Sequence, residues 1–317
     1  MKYNFYLNGL IKNALQSMAL ILFMAAILAS VGYLIAGLTG VLWALGAGAV
    51  FMAFGNRVPP KLALRMYNAR RLEVHDSPEL HELTAEIARH AGLPRVPDLY
   101  YIPSRVMNAF TVGSRDNAAI AFTDGILRNL EWDETAAIIA HEISHVRRND
   151  LWIMGLADTL SRFTGVLSNV GIIMLLFYLP FMMVSGGFVP FPVILILLFA
   201  PTLSVLLQLA LSRTREFDAD LGAVKLTCDP GALARALKRI EEYPVKLGDV
   251  LVTPGRKVPA PSMLRTHPHT EKRLEKLAAM AVEGERPSFC AAAERLFPDH
   301  YAMVTRKPRW RVSGLWH

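Results

Sequence analysis

Two long segments of the chain contain no charged side chain. Residues 13–56 and 163–212 carry no Asp, Glu, Lys or Arg, and they are 44 and 50 residues long. Because a bilayer core is crossed by about 20 apolar helical residues, each segment has the length of two spans joined by a turn. Gly37 to Gly40 and Ser185 to Gly187 supply candidate turns. A pair of buried helices in a soluble core rarely lacks charges over such lengths. The sequence therefore predicts four transmembrane helices in two hairpins.

Basic residues flank both hairpins, whereas the hairpin tips carry no charge. These flanking residues are Lys2, Lys12, Arg57, Lys61, Arg65, Arg70, Arg71, Arg147, Arg148, Arg162, Arg213 and Arg215. The positive-inside rule then predicts that both termini and all polar segments lie in the cytoplasm. We expect the lipid bilayer as a partner and no nucleic acid, because this placement accounts for most of the formal net charge of +7. A cytoplasmic location would also keep Cys228 and Cys290 reduced.

The polar segments predict an α+β domain with a small sheet, so that the whole chain is a mainly α integral membrane protein. We expect residues 57–74 to leave the membrane as a helix, and strands at residues 97–102 and 118–122. The predicted helices begin near Pro78, Asp124, Asp133, Pro230 and Pro268, and we expect Asp133 and Asp229 to be N-caps. The resulting division is a transmembrane hairpin (1–56), a first domain part (57–162), a second hairpin (163–212), a second domain part (213–283) and a C-terminal tail (284–317).

His141, Glu142 and His145 form the pattern H-E-x-x-H. Residues four apart lie on one face of a helix, so both imidazoles can bind one zinc ion at about 2.0–2.1 Å. Glu142 lies about 100° further around the helix, where its carboxylate can accept a proton from a water beside the metal. The alternative is an ordinary amphipathic helix with two surface histidines.

A third ligand has to come from elsewhere, because a catalytic zinc ion keeps three protein ligands and one open position. Glu216 and Asp220 share a helical face, whereas Asp218 points about 200° away from Glu216. Either of the first two can bind the metal while the other orients a histidine. The alternative is a solvated acidic face beside arginines. An even number of spans between His145 and Glu216 would return the chain to the same side of the membrane.

Several blocks of the sequence occur in the order that is typical of one family. They are the first pair of spans, Asn108-Ala109-Phe110 with Gly113, the H-E-x-x-H segment with Asp150, the second pair of spans, Ser212-Arg213 with Arg215-Glu216-Phe217 and Ala219-Asp220, and Thr266-His267-Pro268 with Arg273. With these blocks the chain resembles the HtpX-type membrane metalloproteases, which are relatives of the CAAX prenyl-protein endoproteases. The resemblance covers about residues 1 to 280 and implies a cytoplasmic zincin-like (gluzincin) catalytic domain.

The resemblance also implies roles for individual residues. Glu216 resembles the third zinc ligand, and Asp220 resembles the carboxylate that orients a histidine. Arg273 is similar to a residue that braces Asp220 or the substrate side, and His267 to a transition-state stabiliser. Asn108, Ala109 and Phe110 are similar to the edge strand that binds extended substrate. With Glu142 as the base, the implied activity is a zinc metalloendopeptidase with one Zn²⁺ per chain.

The implied substrates are membrane proteins or misfolded proteins cleaved on the cytoplasmic side, as in quality control at a bacterial inner membrane. One alternative is the processing of prenylated C-terminal peptides. Another is a non-catalytic membrane scaffold with structural zinc, against which Glu142 argues, since a structural site needs no base. The proline-rich segment 244–262 has no assigned role. The tail has basic and aromatic residues typical of nucleic-acid binding or, as we favour, of an anionic membrane surface: Arg306, Lys307, Arg309, Trp310, Arg311 and Trp316.

Overall fold

The structure, a computed structural model, describes residues 2–55, 64–65, 67–186, 190–243 and 270–282. The chain divides into two units, which we call the membrane unit (Met1–Arg57 and Trp152–Thr214) and the site unit (Val58–Leu151 and Arg215–His317). The loop at 244–262, the tail at 284–317 and His267 lie outside the described residues.

Among the described residues, three helices are long and apolar enough to cross a membrane. The candidate spans are Ala14–Val50 within α1 (Lys2–Gly55), Asp150–Phe181 within α5 (Asp150–Ser185), and the whole of α6 (Phe191–Thr227). Many apolar side chains on these helices are exposed: Phe177 is 81% exposed and Trp43 is 74% exposed. Such an apolar surface suits contact with lipid and would be unfavourable in water.

The first of these helices folds back on itself. Its helical backbone is interrupted at Ala36 and at Gly37, where φ is 60°. A Cβ atom at Gly48 would lie 3.9 Å from Cδ2 of Leu28, whereas the two positions would be about 30 Å apart along a straight helix. The backbones of Gly32 and Gly40 approach so closely that neither position has room for a side chain.

The site unit contains a four-stranded sheet with the strand order β1-β2-β4-β3. The strands are β1 (Arg70–Arg71), β2 (Asp98–Ile102), β3 (Ala109–Ser114) and β4 (Asn117–Thr123). β2 pairs parallel with β4, and the other two pairs are antiparallel. β3 is therefore an edge strand within the described part of the chain.

Five helices complete the described part of the site unit, together with the end of α6. They are α2 (Pro78–His90), α3 (Asp124–Asn129), α4 (Trp132–Arg148), α7 (Pro230–Glu242) and α8 (Thr270–Val282). Ala109 and Phe122 on one sheet face share a core with Ile139 of α4 and Leu233 of α7. Asp229 caps α7, because its Oδ1 accepts from the N–H of Ala232 at 2.8 Å.

Two expectations about local structure are wrong. The backbone turns at residues 67–68 and enters β1, so no helix continues to Val74; Arg70 pairs with Tyr101 and is held in the sheet. The helix of the H-E-x-x-H motif begins at Trp132, because Glu131 and not Asp133 is its N-cap, and Glu131 N donates to Oε2 of Glu134 at 2.9 Å. The expectation that Cys228 is reduced is also wrong, because this cysteine is disulfide-bonded. Cys290 lies outside the described residues.

The helices α4 and α6 approach each other closely at Ser144 and Gly222. A Cβ atom at Gly222 would lie 2.5 Å from Oγ and 2.8 Å from Cβ of Ser144. Real Cβ atoms do not tolerate such contacts, so this spacing requires a glycine. Since α4 carries His141 and α6 carries Glu216, the same contact sets how near these two side chains come.

We expect Gly222→Ala to destabilise the fold by about 1–3 kcal/mol, because it overpacks the contact between α4 and α6. Adding Ser144→Gly should restore most of this loss, less the roughly 0.5–1 kcal/mol that glycine costs inside a helix. Thermal unfolding in detergent measures both changes. Gly165→Ala is the matched control, because nothing lies within 4 Å of its new Cβ. An alanine at 222 as stable as the glycine would contradict the close approach.

Candidate metal centre and active site

Three buried side chains converge on one point in the site unit. They are His141 and His145 of α4 and Glu216 of α6, and their ligand atoms lie within 4.8 Å of one another. Nε2 of His141 is 3.2 Å from Nε2 of His145 and 3.5 Å from Oε2 of Glu216. Nε2 of His145 is 3.7 Å from Oε1 of Glu216.

These distances fit a tetrahedral zinc ion. Two ligand atoms that each lie about 2.0–2.1 Å from one ion at a tetrahedral angle are about 3.4 Å apart. Nε2 of His141 lies 3.2 Å from Nε2 of His145 and 3.5 Å from Oε2 of Glu216, close to that value, whereas the 3.7 Å separation from His145 involves the other carboxylate oxygen, Oε1. Two imidazoles and one carboxylate also leave one position of the tetrahedron for water or substrate, as a catalytic zinc site requires.

Asp220 lies against Nδ1 of His141, on the side of the ring away from the proposed metal, and Arg273 contacts Asp220 in turn. Nδ1 of His141 lies 3.1 Å from Oδ1 of Asp220. Arg273 of α8 donates to both oxygens of Asp220, at 2.7 and 2.6 Å, and its Nη1 lies 3.2 Å from Oε2 of Glu216. A carboxylate on Nδ1 selects the tautomer that leaves Nε2 unprotonated for a metal. Of the two positions expected for Arg273, the structure places it on Asp220.

Asp150 and Arg215 support His145 in the same way, a role that sequence reasoning did not assign. Nδ1 of His145 lies 2.9 Å from Oδ2 of Asp150, and Arg215 donates to Oδ1 of Asp150 at 3.2 Å. Asn149 makes this contact possible: with φ at 58° it separates α4 from α5 and turns Asp150 back toward the histidine. Asparagine tolerates this left-handed conformation better than most residues. Asp150 is 0% exposed, which for an acid signals a specific partner.

The centre carries an excess of negative charge. Four buried carboxylates surround the histidines, on Glu142, Asp150, Glu216 and Asp220, and two buried guanidinium groups face them. A divalent cation would neutralise the remaining two charges.

Burial alone would lower the pKa of His141, but its contacts with Asp220 and Glu216 outweigh burial and raise that pKa to about 10. Burial is also outweighed at His145, whose pKa is raised chiefly by Asp150. The centre therefore favours a positive charge.

Glu142 lies beside the proposed ligands and not among them. Its Oε2 accepts a hydrogen bond of 2.7 Å from the hydroxyl of Thr111 on β3. The edge strand thus runs past the carboxylate that would act as the base. Ala109 and Phe110 begin this strand, and Asn108 precedes it. The hydroxyl of Thr111 was not predicted, because β3 was expected only from the resemblance at residues 108–110.

Comparisons with known proteins agree with this geometry. A sequence model of peptidase family M48 matches residues 75–281, which include all of these side chains. The chain belongs to peptidase family M48.

Several M48 relatives carry the name protease HtpX homolog. The protein from Pyrococcus furiosus is 37% identical over 275 residues, which cover 83% of this chain and 94% of the relative. The protein from Aquifex aeolicus is 34% identical over 270 residues, which cover 80% and 89%. Among solved structures, S. mikatae Ste24p has a TM-score of 0.45 at 21% identity, covering 85% of this chain and 66% of that one. This M48 chain is accordingly a protease and, with its long apolar helices, an integral membrane protein.

We expect Asp150→Asn to weaken zinc binding by about 10–100-fold, because it removes the charge that orients His145. Competition with a chelator measures the affinity of the purified protein. Asp158→Asn is the control, since Asp158 lies on the same helix as Asp150, pairs with Arg162 of that helix and with Gln208 of α6, and touches none of the ligands. Equal zinc affinities of the two variants would show that Asp150 is not a support of the centre.

Zinc binding at pH 7 should release at least one proton, because a metal needs the unprotonated Nε2 of His141 and of His145. The raised pKa of His141, about 10, means that this ring is protonated below that pH when no metal is bound. Zinc affinity should therefore rise with pH between 6 and 9. Calorimetry in buffers of different ionisation enthalpy counts the protons. Asp220→Asn should reduce the release, because Asp220 is the main cause of the raised pKa; binding without proton release contradicts the prediction.

Proposed function

We propose that this chain is a zinc metalloendopeptidase that cleaves membrane or misfolded proteins at the cytoplasmic surface of a membrane. The observation that carries the proposal is the convergence of His141, His145 and Glu216, with the carboxylate of Glu142 alongside. Three protein ligands and a neighbouring base are the composition of a catalytic zinc site, whereas a structural site usually has four protein ligands and needs no base.

A bound zinc ion would supply a Lewis acid for the carbonyl oxygen and would acidify a neighbouring water. Glu142 would accept the proton of the attacking water and deliver it to the leaving amine. Asp220 and Asp150 would keep the Nδ1 protons of the two histidines on the side away from the metal. His267, from the family resemblance, would donate to the developing oxyanion.

Substrate would bind in an extended form along the free edge of β3. Backbone hydrogen bonds of this kind recognise any extended peptide, and the side chains then set preferences. The segment Asn108 to Phe110 would hold the part of the substrate that leads toward Glu142. Such recognition suits unfolded segments, because a folded substrate has its backbone groups already paired.

We infer four spans from the reversal of α1 at Gly37, which would divide that helix into two membrane-crossing arms. The second hairpin would comprise the apolar parts of α5 and α6. With an even number of spans, the five-part division of the sequence would place residues 57–162 and 213–283 on one side. The basic flanks favour the cytoplasmic side, for example of a bacterial inner membrane.

The test compares wild type with Glu142→Gln, both loaded with zinc in detergent. The glutamine should retain zinc and lose about 10²–10⁴-fold in kcat, because it removes a general base and leaves the ligands intact. Cleavage of an unfolded membrane protein and zinc content are measured on the same samples. Glu241→Gln, an exposed position of α7, is the matched control.

Each other outcome has a definite meaning. An active, zinc-loaded Glu142→Gln variant would falsify the assignment of the base. If wild type binds zinc and cleaves neither unfolded membrane protein nor a farnesylated peptide, a scaffold with structural zinc is favoured. Cleavage of the farnesylated peptide alone would replace the proposed substrate class with prenylated C-terminal peptides.

A further inference from the structure

The hydrogen bond between Thr111 and Glu142 joins two different parts of the fold. Thr111 lies on the edge strand β3, and Glu142 lies on α4 between the two histidines. Their side chains are 6% and 8% exposed, and Oγ1 of Thr111 donates to Oε2 of Glu142 at 2.7 Å. A hydrogen bond to a carboxylate is of the stronger, charge-assisted kind.

This bond engages one of the two carboxylate oxygens. A glutamate side chain has rotatable bonds that would otherwise let the carboxylate change its orientation. The bond with Thr111 engages Oε2 and does not involve the second oxygen, Oε1. The Thr111 hydroxyl therefore holds one carboxylate oxygen of Glu142 against β3, and the other oxygen is left for proton transfer.

The backbone of Thr111 faces the outer edge of β3, which pairs with no other strand in the described part of the chain. The carbonyl of Asn108 accepts from the N–H of Thr123 at 3.0 Å, so this opposed pair is of the hydrogen-bonded type. Such pairs alternate along antiparallel strands, and the register places Phe110 opposite Ala121 and Thr111 opposite Ile120. Phe110 therefore bonds to β4, whereas the N–H and C=O of Thr111 face outward. A peptide that docks on this edge would meet the residue that holds the base.

We infer that Thr111 is a positioning residue for Glu142: its hydroxyl fixes the carboxylate in the orientation needed for proton transfer to a peptide docked on β3. The inference rests on the proposed function, in which Glu142 is the base. A merely structural hydroxyl would affect folding or zinc binding. Removal of a positioning hydroxyl lowers the rate of the chemical step and leaves folding and zinc binding unchanged.

The experiment compares Thr111→Val, which exchanges the hydroxyl for a methyl group of similar shape, with Thr111→Ser, which keeps the hydroxyl. Thr111→Ala removes the hydroxyl without that methyl group and serves if valine fails to pack. Thr84→Val is the matched control, because Thr84 is fully buried and its hydroxyl bonds to Leu80 O within α2. Glu142→Gln is assayed in parallel, and thermal unfolding and zinc affinity are measured for every variant.

We expect valine and alanine at position 111 to lower kcat by about 10–100-fold, since small displacements of a catalytic group cost that much. KM, zinc affinity and melting temperature should stay close to wild type, and serine should retain most of kcat. The inference is overturned if valine keeps full kcat while Glu142→Gln is inactive. It is equally overturned if serine falls as far as valine, if Thr84→Val falls alike, or if the loss follows the loss of zinc. An active Glu142→Gln variant instead overturns the proposed function itself.

Discussion

The site unit depends on buried negative charge that has to be neutralised. Glu142, Asp150, Glu216 and Asp220 are each at most 8% exposed. An unpaired buried charge costs several kcal/mol, so such a cluster persists only with close cationic partners. Two arginines supply part of the compensation, and a divalent cation would supply the rest. Metal binding and folding would therefore be linked in this unit, because the proposed ligands belong to helices that only the folded chain brings together.

Arg273 shows how a segment far along the chain becomes part of the centre. The helix α8 has the charged surface of an ordinary amphipathic helix, yet Arg273 is 2% exposed and donates twice to Asp220. One guanidinium thus contacts both the carboxylate of Glu216 and the acid that orients His141. Lys276, one turn on, lies 3.5 Å from the ring centroid of Phe217. These contacts fasten α8 to the end of α6 by electrostatics as well as by packing.

Sequence reasoning identified what depends on spacing within one helix and missed what depends on contacts between elements. His141 and His145 could be proposed from a separation of four residues, and the cap at Asp229 from its Asp-Pro pair. The helix expected at residues 57–74 was wrong past residue 67, because pairing of Arg70 with Tyr101 overrides local preference. The role of Asp150 was not predicted, because it follows from a left-handed turn at Asn149. The role of Thr111 was not predicted, because only the sheet register brings it to Glu142.

The register of β3 on β4 is held at the start of β3, by residues that are not proposed metal ligands. Side chains of β3 alternate between two faces: Ala109 joins the core shared with α4, whereas Phe110 packs with Tyr100 and Ala121 on the other face. A slip of one residue would exchange these faces and bring an apolar side chain to Glu142 in place of the Thr111 hydroxyl. Thr123 opposes such a slip, because its hydroxyl accepts from the N–H of Asn108 and donates to the same residue's carbonyl, both at 2.8 Å. The start of the edge strand is thereby locked, and with it the side chain that reaches the base.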